Sequence, residues 1–441
     1  MTLSPELFTI LMFAGLLAGL LLGHPLAFVL GGLAVLFAAI GPGIQAFGIV
    51  INRVWGLADS YVMVAIPIFV FMARLLSDSG ITDRLFHTLR LLFGPIPGGL
   101  NFAVIIISVL LAATTGMVGA SLAVMGVLAL PAMMAYGYRK ETSTGAIAAG
   151  GSLGILIPPS IMLVVMGGYA SLSVGKLFAA ALIPGLLLAV CYALYAGILC
   201  WIRPEYGPPV SPEERAQTST GRLLLMLLKE VAPTMLLILG VLGSIFAGIA
   251  TVTEAASIGA LIALLIIIAY GRFNLRMLKV AVLETGVTTA MVMFVAIGAT
   301  AFTGIFVAGG GMGVVQSFFN DLEIGRWGTF ALLMFAVFIA GMFLDWLGVI
   351  LICFPIFLPI AATLGFDKLW FVMMIAICLQ TSFLTPPVGY ALFYLKGVAP
   401  PGITTMHIYR GVVPFVLIIL GVIGLCAVFP GIVTWLPGRI G

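Results

Sequence analysis

Pro158 and Pro159 stand side by side in the middle of an apolar run, and no α-helix passes through them unbroken. The pair removes two amide donors and its rings clash with the preceding turn, while Gly150, Gly151 and Gly154 weaken the helix just upstream. In water such a stretch would read as a loop. Here the flanks, 144–149 and 161–169, have membrane character, so the break falls inside a bilayer-spanning segment. Backbone groups freed at that depth persist only where they are buried in protein or face a polar cavity. The run from Gln380 through Thr381, Ser382, Thr385, Pro386 and Pro387 to Gly389 repeats the device.

Composition sets the surroundings of both breaks. The chain is 63% hydrophobic and 8% charged, with a mean hydropathy of +1.29, against about 45–50% apolar and about 25% charged for a globular domain. It reads as an all-α polytopic membrane protein, since a membrane β-barrel would alternate over about ten residues and these runs are continuously apolar. The net charge of +4 is small and dispersed, which argues against nucleic acid as a partner. Cysteines 191, 200, 353, 378 and 426 are scattered, so neither a disulfide framework nor a zinc site follows. The apolar stretch 7–22 lacks a basic leader and runs into another apolar segment; it reads as a retained first helix, not a cleaved signal peptide.

Helices are predicted over 6–22, 25–41 and 61–77, followed by an amphipathic interfacial helix over 79–93. For 101–135 two readings compete: one long helix, or a re-entrant hairpin whose tip carries Thr114, Thr115, Gly116 and Ser121. The hairpin is favoured because small polar residues are costly against lipid and useful at a tip. The broken helix 143–170, a helix over 176–202 and a polar linker around Pro212, Glu213, Glu214 and Arg215 come next. Helices at 231–250 and 254–270, an amphipathic piece at 276–284 and a helix at 286–308 lead to a second candidate hairpin, 328–362, with Gly341 and Asp345 at its tip. A second broken helix at 369–395 and a last helix at 411–430 close the prediction.

Pro131, Gly137, Tyr138, Lys140, Pro158 and Pro159 match Pro359, Gly365, Phe366, Lys368, Pro386 and Pro387 at a constant offset of 228. Internal repeats of this kind mark secondary transporters, with the site at the repeat interface. The fold expected is an inverted-repeat, elevator-type transporter. Its division is 1–98 (scaffold helices and interfacial helix), 99–170 (first hairpin and broken helix), 171–327 (scaffold and linker), 328–396 (second hairpin and broken helix) and 397–441 (last helix). Five crossings between the hairpins would invert the second copy. Placing residues 74–98 inside puts 14 of the 19 Lys and Arg residues in the cytoplasm and 5 outside, and the N-terminus in the periplasm.

Unwound carbonyls at a helix break suit a bare cation, and half-helix N-termini suit an anion. Hydroxyls of Thr114, Thr115, Ser121, Ser152, Thr381, Ser382 and Thr385, beside Gly116, Gly151 and Gly341, supply neutral oxygens that favour sodium over divalent metals. Each hydroxyl could instead bond its own helix backbone. Asp345 has three candidate roles: cation ligand, proton carrier or N-cap. Gly154, Pro158, Pro159, Gln380, Pro386, Pro387 and Gly389 form the breaks that would face substrate. Glu254 reads as a capping residue at a helix start. No catalytic triad, HExxH helix or Walker loop is present, so an ion gradient and not ATP is the expected energy source.

The stretch 151–160, Lys176-Leu177-Phe178 with Pro184-Gly185, Thr253-Glu254, the stretch 341–345 and the stretch 384–389 together resemble the large membrane subunit of tripartite ATP-independent periplasmic (TRAP) transporters, in family order and over essentially the whole chain. The resemblance implies a sodium-driven elevator importing a small organic acid across the bacterial inner membrane. It also implies two partners, a small four-helix membrane subunit and a periplasmic substrate-binding protein, both expected as separate polypeptides. Sodium would be the coupling ion, with no other cofactor. Asp345-Trp346 and the stretch 380–383 resemble the mannitol/chloroaromatic branch, some of whose relatives handle 2-oxo acids. At the first tip many members carry Ser-Gly-Ser-Ser, where this chain has Thr114-Thr115-Gly116-Met117. A stand-alone sodium/anion symporter is the alternative within transport; an intramembrane enzyme lacks a nucleophile–base pair.

Overall fold

The structure is a computed structural model that describes residues 3–41, 43, 45–210 and 220–440. Pro212, Glu213, Glu214 and Arg215 of the expected linker lie outside the described residues. Among those described there are helices and turns and no strand. Seven helices are long and apolar enough to cross a membrane, or eight if one bent pair counts as a single span.

The first half comprises α1 (Pro5–Leu21), α2 (Leu26–Ile40), α3 (Ala46–Ala58), α4 (Ala65–Asp78), α5 (Ile81–Phe93), α6 (Gly99–Thr115), α7 (Val118–Ala135), α8 (Lys140–Ser152), α9 (Ile161–Ala170) and α10 (Val174–Ile202). The second comprises α11 (Thr220–Ile238), α12 (Val252–Ala269), α13 (Leu275–Ala308), α14 (Gly311–Asp321), α15 (Gly325–Phe343), α16 (Trp346–Thr363), α17 (Lys368–Phe383), α18 (Tyr390–Val398) and α19 (Thr405–Val428), with a final short α20 (Gly431–Thr434). Both ends of α7 and α16 are 228 residues apart. The same spacing aligns α2 with α12, α3 and α4 together with α13, and α5 with α14, so the duplication runs well beyond the stretch in which the sequence reveals it.

Packing is reciprocal between the halves, as a two-fold relation requires. α2 lies on α13 and α12 on α4; α1 meets α14 and α11 meets α5. At the centre α7 lies on α18 while α16 lies on α9, and α8 lies on α19 while α17 lies on α10. Glycines permit the closest of these approaches. A Cβ on Gly145 would stand 2.2 Å from the Gly411 carbonyl, and one on Gly298 would stand 2.6 Å from the Ala27 carbonyl.

Several helix starts are satisfied by side chains as their sequence predicts. Ser4, Ser160, Ser173, Asn274, Asp345 and Asp367 each accept a bond from the amide three residues on. Thr251 and Glu254 form a reciprocal capping box, the role expected of Glu254.

Several element boundaries differ from expectation. Residues 46–58, in a less apolar stretch for which no helix was predicted, form α3, and α3 meets the 61–77 segment at a 53° bend. The amphipathic piece at 276–284 and the helix at 286–308 are one 34-residue helix, α13. Its charges cluster in its first third, where Glu284 pairs with Arg74 of α4. α14 was not anticipated, and α11 and α19 begin earlier than expected, at Thr220 and Thr405. Of the two readings of 101–135, the helix–turn–helix is the one formed: α6 ends at Thr115, Gly116 turns left-handed (φ 60°) and Met117 is extended. The expected interfacial helix is α5, whose Ile81, Leu85, Phe86 and Leu89 are buried. α5 packs on α6 and α11.

Candidate functional site

The first tip is seated on the first helix break. A Cβ on Gly116 would lie 3.0 Å from the Pro159 carbonyl oxygen, and one on Gly154 would lie 3.1 Å from the Met117 carbonyl oxygen. Gly151 likewise faces Leu122 of α7. Glycine is therefore required by close approach on both sides of this contact, and at Gly116 also by its positive φ. The break itself is a short 3₁₀ turn, Leu153–Ile155, followed by non-helical chain through Pro158 and Pro159, all of it buried. Ser160 ties its ends together. Its hydroxyl donates to the Ile155 carbonyl, and its oxygen accepts from the Leu163 amide at 3.4 Å.

Every hydroxyl singled out from the sequence bonds a main-chain carbonyl. Thr114 reaches Leu110 and Leu111, Thr115 reaches Leu111 at 2.8 Å, and Ser121 reaches Met117 at 3.2 Å. Ser152 donates to Ala149, Thr381 to Cys378 and Thr385 to Thr381. Ser382 donates across to Phe338 of α15 at 3.2 Å. These bonds use the protons and leave oxygen lone pairs. The consequence is sharpest for Thr115 and Ser121, whose oxygens are 3.3 Å apart while each has a carbonyl acceptor of its own.

The second tip follows the same plan with different chemistry. Leu344 is extended, and Asp345 Oδ1 accepts from the Gly348 amide at 3.0 Å, so the N-cap role of Asp345 is realised. Gly341 is pressed against Ser382, where a Cβ would come within 2.5 Å of the Ser382 hydroxyl. Gln380, in the last turn of α17, is fully buried and neither amide atom has a partner. The position matching it in the first half is Ser152, which is satisfied by its own helix. Gly389 starts α18 in a left-handed conformation (φ 49°) without a side-chain cap, so the second break lacks the tie that Ser160 makes in the first.

The two breaks also differ in surroundings. Residues 150–160 are buried throughout, whereas Pro387 and Val388 are exposed. A cleft of about 620 Å³ opens at the second tip, between Phe343, Leu344, Asp345 and Tyr390 on one side and the α1–α2 turn at Gly23 and His24 on the other. Neither His24 nor Tyr390 stood out in the sequence. His24 sits at a helix junction with no charged neighbour nearby in sequence, and only the folded chain brings it to Asp345.

Trp370 packs against Phe366 and donates to the Cys426 carbonyl at 3.1 Å, a structural role. Among the described residues no group of His, Cys, Asp and Glu side chains is arranged to hold a metal ion.

Two duplicated halves of apolar helices, each with a hairpin tip set on a broken helix, define a polytopic membrane transport protein. The fold matches that of the Alcanivorax borkumensis YdaH transporter, with a TM-score of 0.64 over 98% of this chain and 99% of that one at 15% identity. Residues 13–432 match the family model described as "Tripartite ATP-independent periplasmic transporter, DctM component", and the chain belongs to this family, whose members are transport permeases and not enzymes. It is 30% identical over 396 residues to the C4-dicarboxylate TRAP transporter large permease protein of Pseudomonas aeruginosa, covering 88% of this chain and 89% of the relative. It is also 30% identical over 423 residues to the sialic acid TRAP transporter large permease protein of Vibrio cholerae, covering 96% of each. The isethionate TRAP transporter permease protein DctMQ of Oleidesulfovibrio alaskensis is 30% identical over 424 residues, and the match takes in 65% of its length.

Proposed function

We propose that this chain is the large permease of a sodium-coupled importer that works by an elevator motion. Its partners are a small membrane subunit and a periplasmic substrate-binding protein in the bacterial inner membrane. The observation that carries the mechanism is the unequal environment of two matched sites, one tip and break closed over and buried, the other open to a cleft. Alternating access between equivalent repeats needs one member of the pair open while the other is shut. In this reading α6–α9 and α15–α18 move as a body against the remaining helices, with the N-terminus periplasmic and the cleft on the cytoplasmic side. The oxygens at the two tips and breaks, together with Asp345 and Gln380, hold sodium and face substrate. Relatives named for C4-dicarboxylate, sialic acid and isethionate support a small organic acid as cargo. Asp345-Trp346 and the 380–383 stretch point within that class to 2-oxo acids.

Uptake of labelled acid into vesicles, with and without the binding protein and a sodium gradient, tests the coupling; uptake indifferent to sodium rejects it. The motion has its own test. Leu26 of α2 touches Gly348 of α16 across the two bodies, so a disulfide in the L26C/G348C double variant should stop uptake and reduction should restore it. Full uptake by the cross-linked protein would reject the elevator.

A further inference from the structure

Resting on the transport reading above, the cleft at the second tip narrows the cargo. We infer that it takes an acid with one carboxylate and an apolar body, and that His24 holds the carboxylate. At about 620 Å³ the cleft is of the size that small-molecule sites occupy, roughly 300–1,000 Å³. Among the described residues its polar side chains are His24, Asp345 and Tyr390, and no Arg or Lys lines it. His24 carries an N–H in either protonation state, so it donates to a carboxylate whichever form it takes. Asp345 stands on the opposite wall with Oδ1 committed to the Gly348 amide. A second carboxylate in the cleft would find no Arg or Lys to pair with among the described lining residues.

The rest of the lining is apolar. Phe28 and Phe294 meet edge to face, with ring centroids 5.4 Å apart, and Met291, Val295 and Phe343 extend the same surface. A polyhydroxylated cargo would leave hydroxyls facing these side chains without partners, a cost for each one. A hydrocarbon tail instead removes apolar surface from water on both sides. The turn that carries His24 is set by Gly23 (φ 82°) and by a bond of 3.2 Å from the His24 amide to the Gly19 carbonyl, so the backbone fixes the point from which the imidazole reaches into the cleft.

The test uses the full chain in membrane vesicles with Met291→Cys as a reporter in the cleft, unmodified protein giving the background from the native cysteines. Alkylation by a membrane-permeant fluorescent maleimide is timed with 4-methylpentanoate, succinate or N-acetylneuraminate present. The expected result is protection by 4-methylpentanoate at a concentration at least about tenfold below that of the other two. His24→Ala should raise that concentration by about tenfold or more, the scale of one lost hydrogen bond to a charged group, and His24→Gln, which keeps an N–H, by less. Equal or better protection by succinate, no protection by any probe, or an unchanged response in His24→Ala would overturn the assignment. Sodium-driven uptake by vesicles that also carry the small membrane subunit, supplied with the binding protein, separates the two readings: uptake without protection rejects only this use of the cleft, and absent uptake rejects the transport reading itself.

Discussion

Asp345 is the residue whose two roles can be separated most cleanly. As an N-cap it needs only an acceptor oxygen for the Gly348 amide, now at 3.0 Å. Asn caps about as well as Asp, whereas Ala costs about 1 kcal/mol. As a cation ligand it needs its charge. A unit charge about 4 Å from a cation contributes about 4 kcal/mol at an effective dielectric of about 20, and even a third of that is a tenfold change in affinity. Asp345→Asn should therefore leave thermal stability within a few tenths of a kcal/mol of wild type while raising the half-saturating sodium concentration for uptake about tenfold or more. Asp345→Ala should lose both. The assays are a melting curve of the purified protein and uptake into vesicles across a sodium titration. If Asp345→Asn transports with wild-type sodium dependence, the carboxylate is a cap alone and the sodium assignment at the second tip fails.

Ser160→Ala removes both bonds that tie the first break, costing about 1 kcal/mol for the cap and about 1–3 kcal/mol for the buried Ile155 carbonyl left unpaired; a clear drop in melting temperature should follow, and an unchanged melt would refute the tie. Gly116→Ala must adopt a left-handed conformation at roughly 1–2 kcal/mol and crowd the Pro159 carbonyl; uptake should fall, and substitution without effect would show that the tip does not rest on the break. Replacing Pro158-Pro159 by Ala-Ala should impair transport more than assembly, judged by uptake per molecule in the membrane; wild-type uptake would make the break mere architecture. Gly298→Leu should cost assembly, seen as loss of folded protein in detergent, because its side chain would enter the Ala27 backbone of α2.

Much of the molecule was legible in the chain because lipid imposes strict rules. Apolar runs of helical length, prolines that break them and a 228-residue spacing were enough to place both hairpins and both breaks, while the motifs at 151–160, 341–345 and 384–389 carried the resemblance to the family. The cap at Asp345 and the capping box at Glu254 were readable for a related reason, since local geometry leaves the first amides of any helix short of acceptors. Legibility ended where one element's state depends on another. Residues 46–58, less apolar around Asn52 and Arg53, were not read as a helix, yet they form α3, which packs along α13. The 276–284 segment looked separate from the helix after it because charge interrupts the apolar pattern without interrupting the backbone.

Tertiary structure alone decided how the matched pieces differ. Sequence placed Ser152 and Gln380 at equivalent positions; only the packing satisfies the first from its own helix and leaves the second buried without partners. Sequence treated the two Pro-Pro breaks as equals, yet one is buried and the other lies beside a cleft. Local pattern carries no record of which surface a distant helix will cover. For that reason the presence of His24 and Asp345, more than 300 residues apart in the chain, in the lining of one cleft could be read only from the fold.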